Sequence, residues 1–133
     1  MTHDPTTPTV LVADDDAQLL GLVVRHLRGM GYRVVEALDG ERAWESVLRN
    51  RPDLVVLDVM MPGMSGWEVC RRIRESDDMS DTPVIMLTGI GERLNEMTSP
   101  LYGASDYLDK PFEFEVFEEM VRRVLSGSTR DEG

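Results

Sequence analysis

Apolar positions along this chain fall into two alternating textures. Short apolar runs occur at 9–13 (TVLVA), 32–37 (YRVVEA), 54–57 (LVVL), 84–87 (VIML) and, more briefly, 106–108 (DYL). Three of them are essentially continuous, the pattern of central strands in a parallel sheet covered on both faces. Between them the apolar positions recur at helical spacing. Leu19, Leu20, Val23, Val24 and Leu27 form one stripe, closed by Gly29 and Gly31. Ala43, Trp44, Val47 and Leu48 form a second, stopped before Pro52, and Trp67, Cys70 and Ile73 a third. Phe114, Phe117, Val121 and Val124 form the last, with Glu113, Glu115, Glu118 and Glu119 early and Arg122 and Arg123 late, the order that suits a helix dipole. The segment 92–102 is weaker. Leu94, Met97 and Leu101 offer a face there, but Pro100 cannot continue a helix and biases Ser99 against one. A fourth helix is therefore expected to stop near Thr98 or Ser99, with an irregular passage to Gly103.

Five strand–helix repeats of this length predict an α/β fold, an open doubly wound sheet of five parallel strands with helices on both faces. The folded domain is expected over 9–125, between a flexible segment 1–8 and a flexible tail or linker 126–133. In such sheets chemistry collects at the carboxyl ends of the strands, where strand order reverses. The first run is followed by Asp14, Asp15 and Asp16, the third by Asp58, the fourth by Thr88, and the fifth by Lys110 and Pro111. The second ends only in Ala37. With strand order 2-1-3-4-5, the four strands with reactive ends are adjacent and their groups converge.

Composition narrows the partners. A formal net charge of −11 over 133 residues argues against nucleic acid or an anionic membrane as a direct partner of this segment. It leaves open a DNA-binding segment elsewhere in a longer protein. The single cysteine, Cys70, forms no internal disulfide and reads as an inert small hydrophobe. No apolar run reaches membrane-spanning length and the N-terminus is not signal-like, so a cytoplasmic location is expected.

The convergent charges suggest a chemistry. Two or three neighbouring carboxylates repel one another and need a cation among them. Few carboxylates plus open positions suit Mg²⁺ better than a full Ca²⁺ cage. A lysine and a threonine hydroxyl facing that cation supply a positive charge and a hydrogen-bond donor for phosphate oxygens. A carboxylate placed there can attack phosphorus to give an acyl phosphate.

The segments 10–16 (VLVADDD), 57–66 (LDVMMPGMSG), 87–89 (LTG) and 103–112 (GASDYLDKPF), in this order, resemble the receiver domains of bacterial two-component response regulators over nearly the whole chain. The resemblance implies a flavodoxin-like sheet of order 2-1-3-4-5. It implies Asp58 as phosphoacceptor and a Mg²⁺ site made by Asp14, Asp15, Asp58 and the backbone carbonyl of Met60, with Asp14 acting mainly through a water. It further implies Thr88 as the switch hydroxyl, Tyr107 as the switch aromatic, Lys110 as the phosphate partner and a cis Lys110–Pro111 bond. Met60 and Ile90 would flank the path of the hydrolytic water. Asp16 matches a variable position and is assigned to helix N-capping. The implied function is that of a phosphoprotein in a phosphorelay, taking its phosphoryl group from a histidine kinase or phosphotransfer protein and switching conformation toward an effector or output domain. It is not a turnover enzyme on outside substrates, and catalyses only its own phosphorylation and dephosphorylation.

Taken singly, each motif has a plainer reading: a capped turn at Asp14, Asp15 and Asp16, a loop residue at Asp58, half-buried packing at Tyr107. Trp44 and Trp67 read as packing residues, and His3 and His26 show no metal or phosphotransfer spacing. Two other functions compete. A haloacid-dehalogenase-like phosphatase would use Asp14 as nucleophile within an Asp-x-Asp pair, but Ala17 and Gln18 do not fit that family and no cap domain is present. A degenerate receiver would act only as a protein-interaction module.

Overall fold

The structure, a computed structural model, describes residues 7–89 and 103–127. The elements run β1 (Thr9–Ala13), α1 (Ala17–Gly29), β2 (Arg33–Ala37), α2 (Gly40–Asn50), β3 (Leu54–Asp58), α3 (Gly66–Glu75), β4 (Val84–Thr88), β5 (Asp106–Asp109) and α4 (Phe114–Ser126). The five strands form one parallel sheet of order β2-β1-β3-β4-β5, in the flavodoxin-like arrangement.

Why the three central strands read as continuous apolar runs is plain from their burial: every residue of β1, β3 and β4 is buried, whereas β2 and β5, at the edges, are partly open. Side chains alternate between the two faces. Leu11, Ala13, Val55, Leu57, Val84 and Met86 meet Ala43 and Val47 of α2 and Val69, Cys70 and Ile73 of α3. Val10, Val12, Leu54, Val56, Ile85 and Leu87 meet α1 through Leu20, Val23, Val24 and Leu27, and α4 through Phe117, Met120 and Val121. Each fully buried Val, Leu, Ile, Met or Phe among them contributes about 1.5–3 kcal/mol through its removal from water. Together they fix the sheet that carries the site.

The expected helix stripes hold with two amendments. Leu48 points outward, 46% exposed, because α2 turns its Ala43 and Val47 face to the sheet. In α4 the buried set is Phe117, Met120 and Val121, while Phe114 lies only partly buried in a cluster with Phe112 and Phe117. Trp44 and Trp67 pack at the margin of the core, as read from the sequence. The expected interruption at Pro100, and Ile90, lie outside the described residues.

Two glycines position the loops around the sheet's carboxyl edge. A Cβ on Gly66 would overlap the backbone carbonyl of Asp58, and a Cβ on Gly40 would overlap the carbonyl of Met64. The absence of a side chain at Gly66 lets the first turn of α3 close against the end of β3. That contact is fastened by the Gly66 amide donating to the Val59 carbonyl at 2.9 Å.

Candidate functional site

Parallel strands present all their carboxyl ends on one edge, and β1, β3, β4 and β5 are adjacent there. Asp14 follows β1, Asp58 closes β3, Thr88 closes β4, and Lys110 follows β5 directly. Asp14, Asp15 and Asp58 each bring a carboxylate oxygen within 4.8 Å of the others. Asp14 and Asp58 are buried, and Asp15 is exposed at the mouth. The Lys110 ammonium donates to Asp58 Oδ1 at 2.8 Å and stands 3.3 Å from Asp14 Oδ2.

Local structure sets these directions. The Asp16 amide donates to Asp14 Oδ1 at 2.9 Å, closing a turn that turns Asp14 inward. Asp16 caps α1, its Oδ1 accepting from the amides of Gln18 at 3.1 Å and Leu19 at 3.2 Å. The Asp14 amide ties to the Ala37 carbonyl at 3.2 Å, and the Lys110 amide to the Thr88 carbonyl at 2.7 Å. The Lys110–Pro111 bond is cis, as the resemblance implied.

The electrostatics are those of an overcrowded anionic pocket. Burial raises the Asp58 carboxyl from 3.8 to about 6; the Lys110 hydrogen bond opposes this and the Asp14 charge adds to it. Asp14 is also raised, chiefly by burial, against the Asp16 amide and Lys110. For Lys110, burial favours loss of the proton, but the Asp58 hydrogen bond and the Asp14 and Asp58 charges outweigh it, and its pKa is raised. The carboxylates, all within 4.8 Å of one another, repel as well, a contribution to the Asp58 shift smaller than that of burial.

One lysine does not satisfy the pocket. Asp14 Oδ2 is buried and has no hydrogen-bond partner among the described residues. Facing Lys110 at ion-pair distance, it lacks a directed bond. An orphaned carboxylate oxygen beside two further carboxylates fits a hard divalent cation with oxygen ligands. Asp14, Asp15 and Asp58 could hold one.

The remaining expected residues lie nearby with different surroundings. Thr88 is buried, and its hydroxyl donates to Asp109 Oδ1 at 2.6 Å. Tyr107 is half-buried against the core on the α2 and α3 side, its ring 6.1 Å from that of Trp67. The Met60 side chain is 62% exposed beside the site. Cys70 is buried, its thiol pushed up to about 11, in keeping with an inert role. Two partners escaped the sequence reading. Asp109 was not singled out, although strand register alone sets it opposite Thr88. His26 meets Glu118 of α4 at 2.8 Å and stacks on Phe114, a pairing across 92 residues that no spacing rule reveals.

A strand-edge cluster of acids with a lysine, on a 2-1-3-4-5 sheet, defines a class. The chain belongs to the response regulator receiver domain family, whose model matches residues 10–122. It is a signalling module. Among its relatives is the DNA-binding dual master transcriptional regulator RpaA of Synechocystis, 37% identical over 92% of this chain and 51% of the relative. Among solved structures, the chemotaxis response regulator CheY4 of Vibrio cholerae is 32% identical, with a TM-score of 0.83 over 90% of this chain and 99% of that one. The receiver domain of the sensor histidine kinase PA1611 from Pseudomonas aeruginosa, described with a magnesium ion coordinated in its active-site cleft, is 27% identical. Its TM-score is 0.82 over 91% of this chain and 99% of that one. The chain spans about half the length of the curated relatives it matches. No helix among the described residues is long and apolar enough to cross a membrane.

Proposed function

We propose that this chain is phosphorylated on Asp58 by a phosphohistidine of a histidine kinase or phosphotransfer protein, and that the modified chain signals to an effector or output domain. The observation that carries this reading is the pairing of buried Asp58 with Lys110 at 2.8 Å beside the orphaned Asp14 Oδ2. A carboxylate kept close to its protonation point by burial is still mostly ionised at neutral pH, and so remains nucleophilic. An Asp58 oxygen attacks phosphorus while the bond from phosphorus to the donor's imidazole nitrogen breaks. That nitrogen leaves with the electron pair and takes up a proton from solvent. Lys110 is placed to hold Asp58 before transfer and to follow the phosphoryl oxygens after it.

Asp14, Asp15 and Asp58, with the Met60 carbonyl, would hold Mg²⁺, which when bound neutralises charge on the carboxylates and the transferring group. Thr88 is the hydroxyl that engages the phosphoryl group, and Tyr107 the aromatic that follows it. The folded unit is taken as 9–125. The chain catalyses only its own phosphorylation and dephosphorylation, in the cytoplasm. No observation favours a degenerate module that binds partners without phosphorylation. The net charge of −11 sets this segment apart from any nucleic-acid contact; DNA binding, as in the name of the Synechocystis relative, would belong to an output domain of a longer protein.

Incubation with a small phosphodonor tests the reading. Stoichiometric, Mg²⁺-dependent, base-labile phosphate is expected in the parent and none in Asp58→Asn. Equal labelling in the Asn variant, or none in the parent, contradicts it.

A further inference from the structure

Thr88 makes one hydrogen bond whose partner lies outside the acidic cluster. Its hydroxyl donates to Asp109 Oδ1 at 2.6 Å, the length of a charge-assisted bond. The pairing is imposed by the backbone. Thr88 and Asp109 are register partners in the parallel β4–β5 ladder, and the Lys110 amide closes on the Thr88 carbonyl at 2.7 Å. Thr88 is 1% exposed, so water does not readily replace this acceptor. Asp109 sits at the exposed end of its strand and belongs neither to the three-carboxylate cluster nor to the core.

A hydroxyl has one hydrogen to donate. While Thr88 gives it to Asp109, it cannot give it to a phosphoryl oxygen on Asp58. We propose that Asp109 is a positioning residue that latches the Thr88 hydroxyl in the unphosphorylated chain, so that phosphorylation proceeds by exchange of one acceptor for another. The proposal rests on the phosphoacceptor reading of Asp58. Its consequence is quantitative. A state whose threonine is already engaged binds a phosphoryl group less tightly by the fraction of time the latch is closed. Asp109 thus sets the threshold at which the chain switches, and Lys110, its neighbour in sequence, ties that threshold to the site itself.

The test is a calorimetric titration of the full chain with beryllofluoride, a phosphoryl mimic, with and without Mg²⁺. Asp109→Ala is expected to bind it about five- to tenfold more tightly than the parent, the scale of one hydrogen bond to a partly solvated charged group. Asp109→Asn keeps an acceptor without the charge and is expected to fall between them. In a Thr88→Val background, which removes the hydroxyl and keeps the shape, Asp109→Ala is expected to have no effect, as a thermodynamic cycle requires if the two act only through each other. An unchanged affinity in Asp109→Ala, while the parent binds, overturns the latch and leaves the phosphoacceptor reading intact. A gain of equal size in the Thr88→Val background also overturns it, since Asp109 would then act through its charge alone. A parent that binds no beryllofluoride in Mg²⁺ overturns the reading of Asp58 and the latch with it.

Discussion

Replacing Asp58 with asparagine is expected to stabilise the metal-free chain at neutral pH, although the residue is central to the site. The reason is the burial of a charge among like charges. A carboxyl whose pKa rises from 3.8 in the unfolded chain to about 6 in the fold makes ionisation unfavourable to the native state by about 3 kcal/mol at pH 7. The neutral amide avoids that cost. It keeps an acceptor for Lys110, which also retains Asp14 at 3.3 Å. Allowing for relaxation around the site, a gain of about 1–2 kcal/mol is expected, or about 4–8 °C in Tm for a chain of this size. The pH dependence identifies the cause. Between about pH 4 and 6 the folded parent holds a proton on Asp58 that the unfolded chain has lost, so parental stability falls as pH rises through that window. Above it the penalty is complete, and below it absent. The advantage of Asp58→Asn should therefore be full at pH 7 and vanish toward pH 4. Denaturant unfolding in chelator at both values measures it. An asparagine variant that is less stable at pH 7, or an advantage independent of pH, refutes the electrostatic account of the site.

Three further outcomes follow. Mg²⁺ is expected to raise the Tm of the parent as a ligand that binds only the folded state, with Asp15→Ala losing most of the increase; an equal response in that variant would place the ion elsewhere. Gly40→Ala is expected to cost about 1–3 kcal/mol by overpacking, because the new methyl meets the Met64 carbonyl and must displace the loop after β3; an unfolding midpoint within error of the parent would show that this approach is not tight. Phospho-Asp58 is expected to decay more slowly than in receivers with polar residues at the positions of Met60 and Ile90, since neither side chain can orient a water. Met60→Asn with Ile90→Glu should shorten its lifetime about tenfold, and an unchanged or longer lifetime in this double variant would discard the idea.

What the sequence revealed, and what it hid, follows from the range of each interaction. The central strands were legible because burial on both faces leaves no polar position in 54–57 or 84–87. The location of the site was legible for a topological reason: parallel strands deliver Asp14, Asp58, Thr88 and Lys110 to one edge whatever their separation along the chain. Side-chain direction was not. Thr88 reads from the sequence as a hydroxyl facing the cation site, and its bond to Asp109 depends on a register between strands that no local pattern encodes. The same limit applies to His26 and Glu118, which join α1 to α4. Leu48 misled because an apolar residue at helical spacing need not share the stripe when its neighbours Ala43 and Val47 already fill it.

The central claim is that phosphorus goes to Asp58 and to no other aspartate of the cluster. Borohydride reduces an acyl phosphate to an alcohol, converting the modified aspartate to homoserine. The chain should be phosphorylated with a small donor in Mg²⁺, reduced, digested and sequenced by mass spectrometry. Homoserine at position 58 alone is the expected result. Homoserine at position 14 would instead mark the nucleophile of a phosphatase built on the first strand, and would contradict the account.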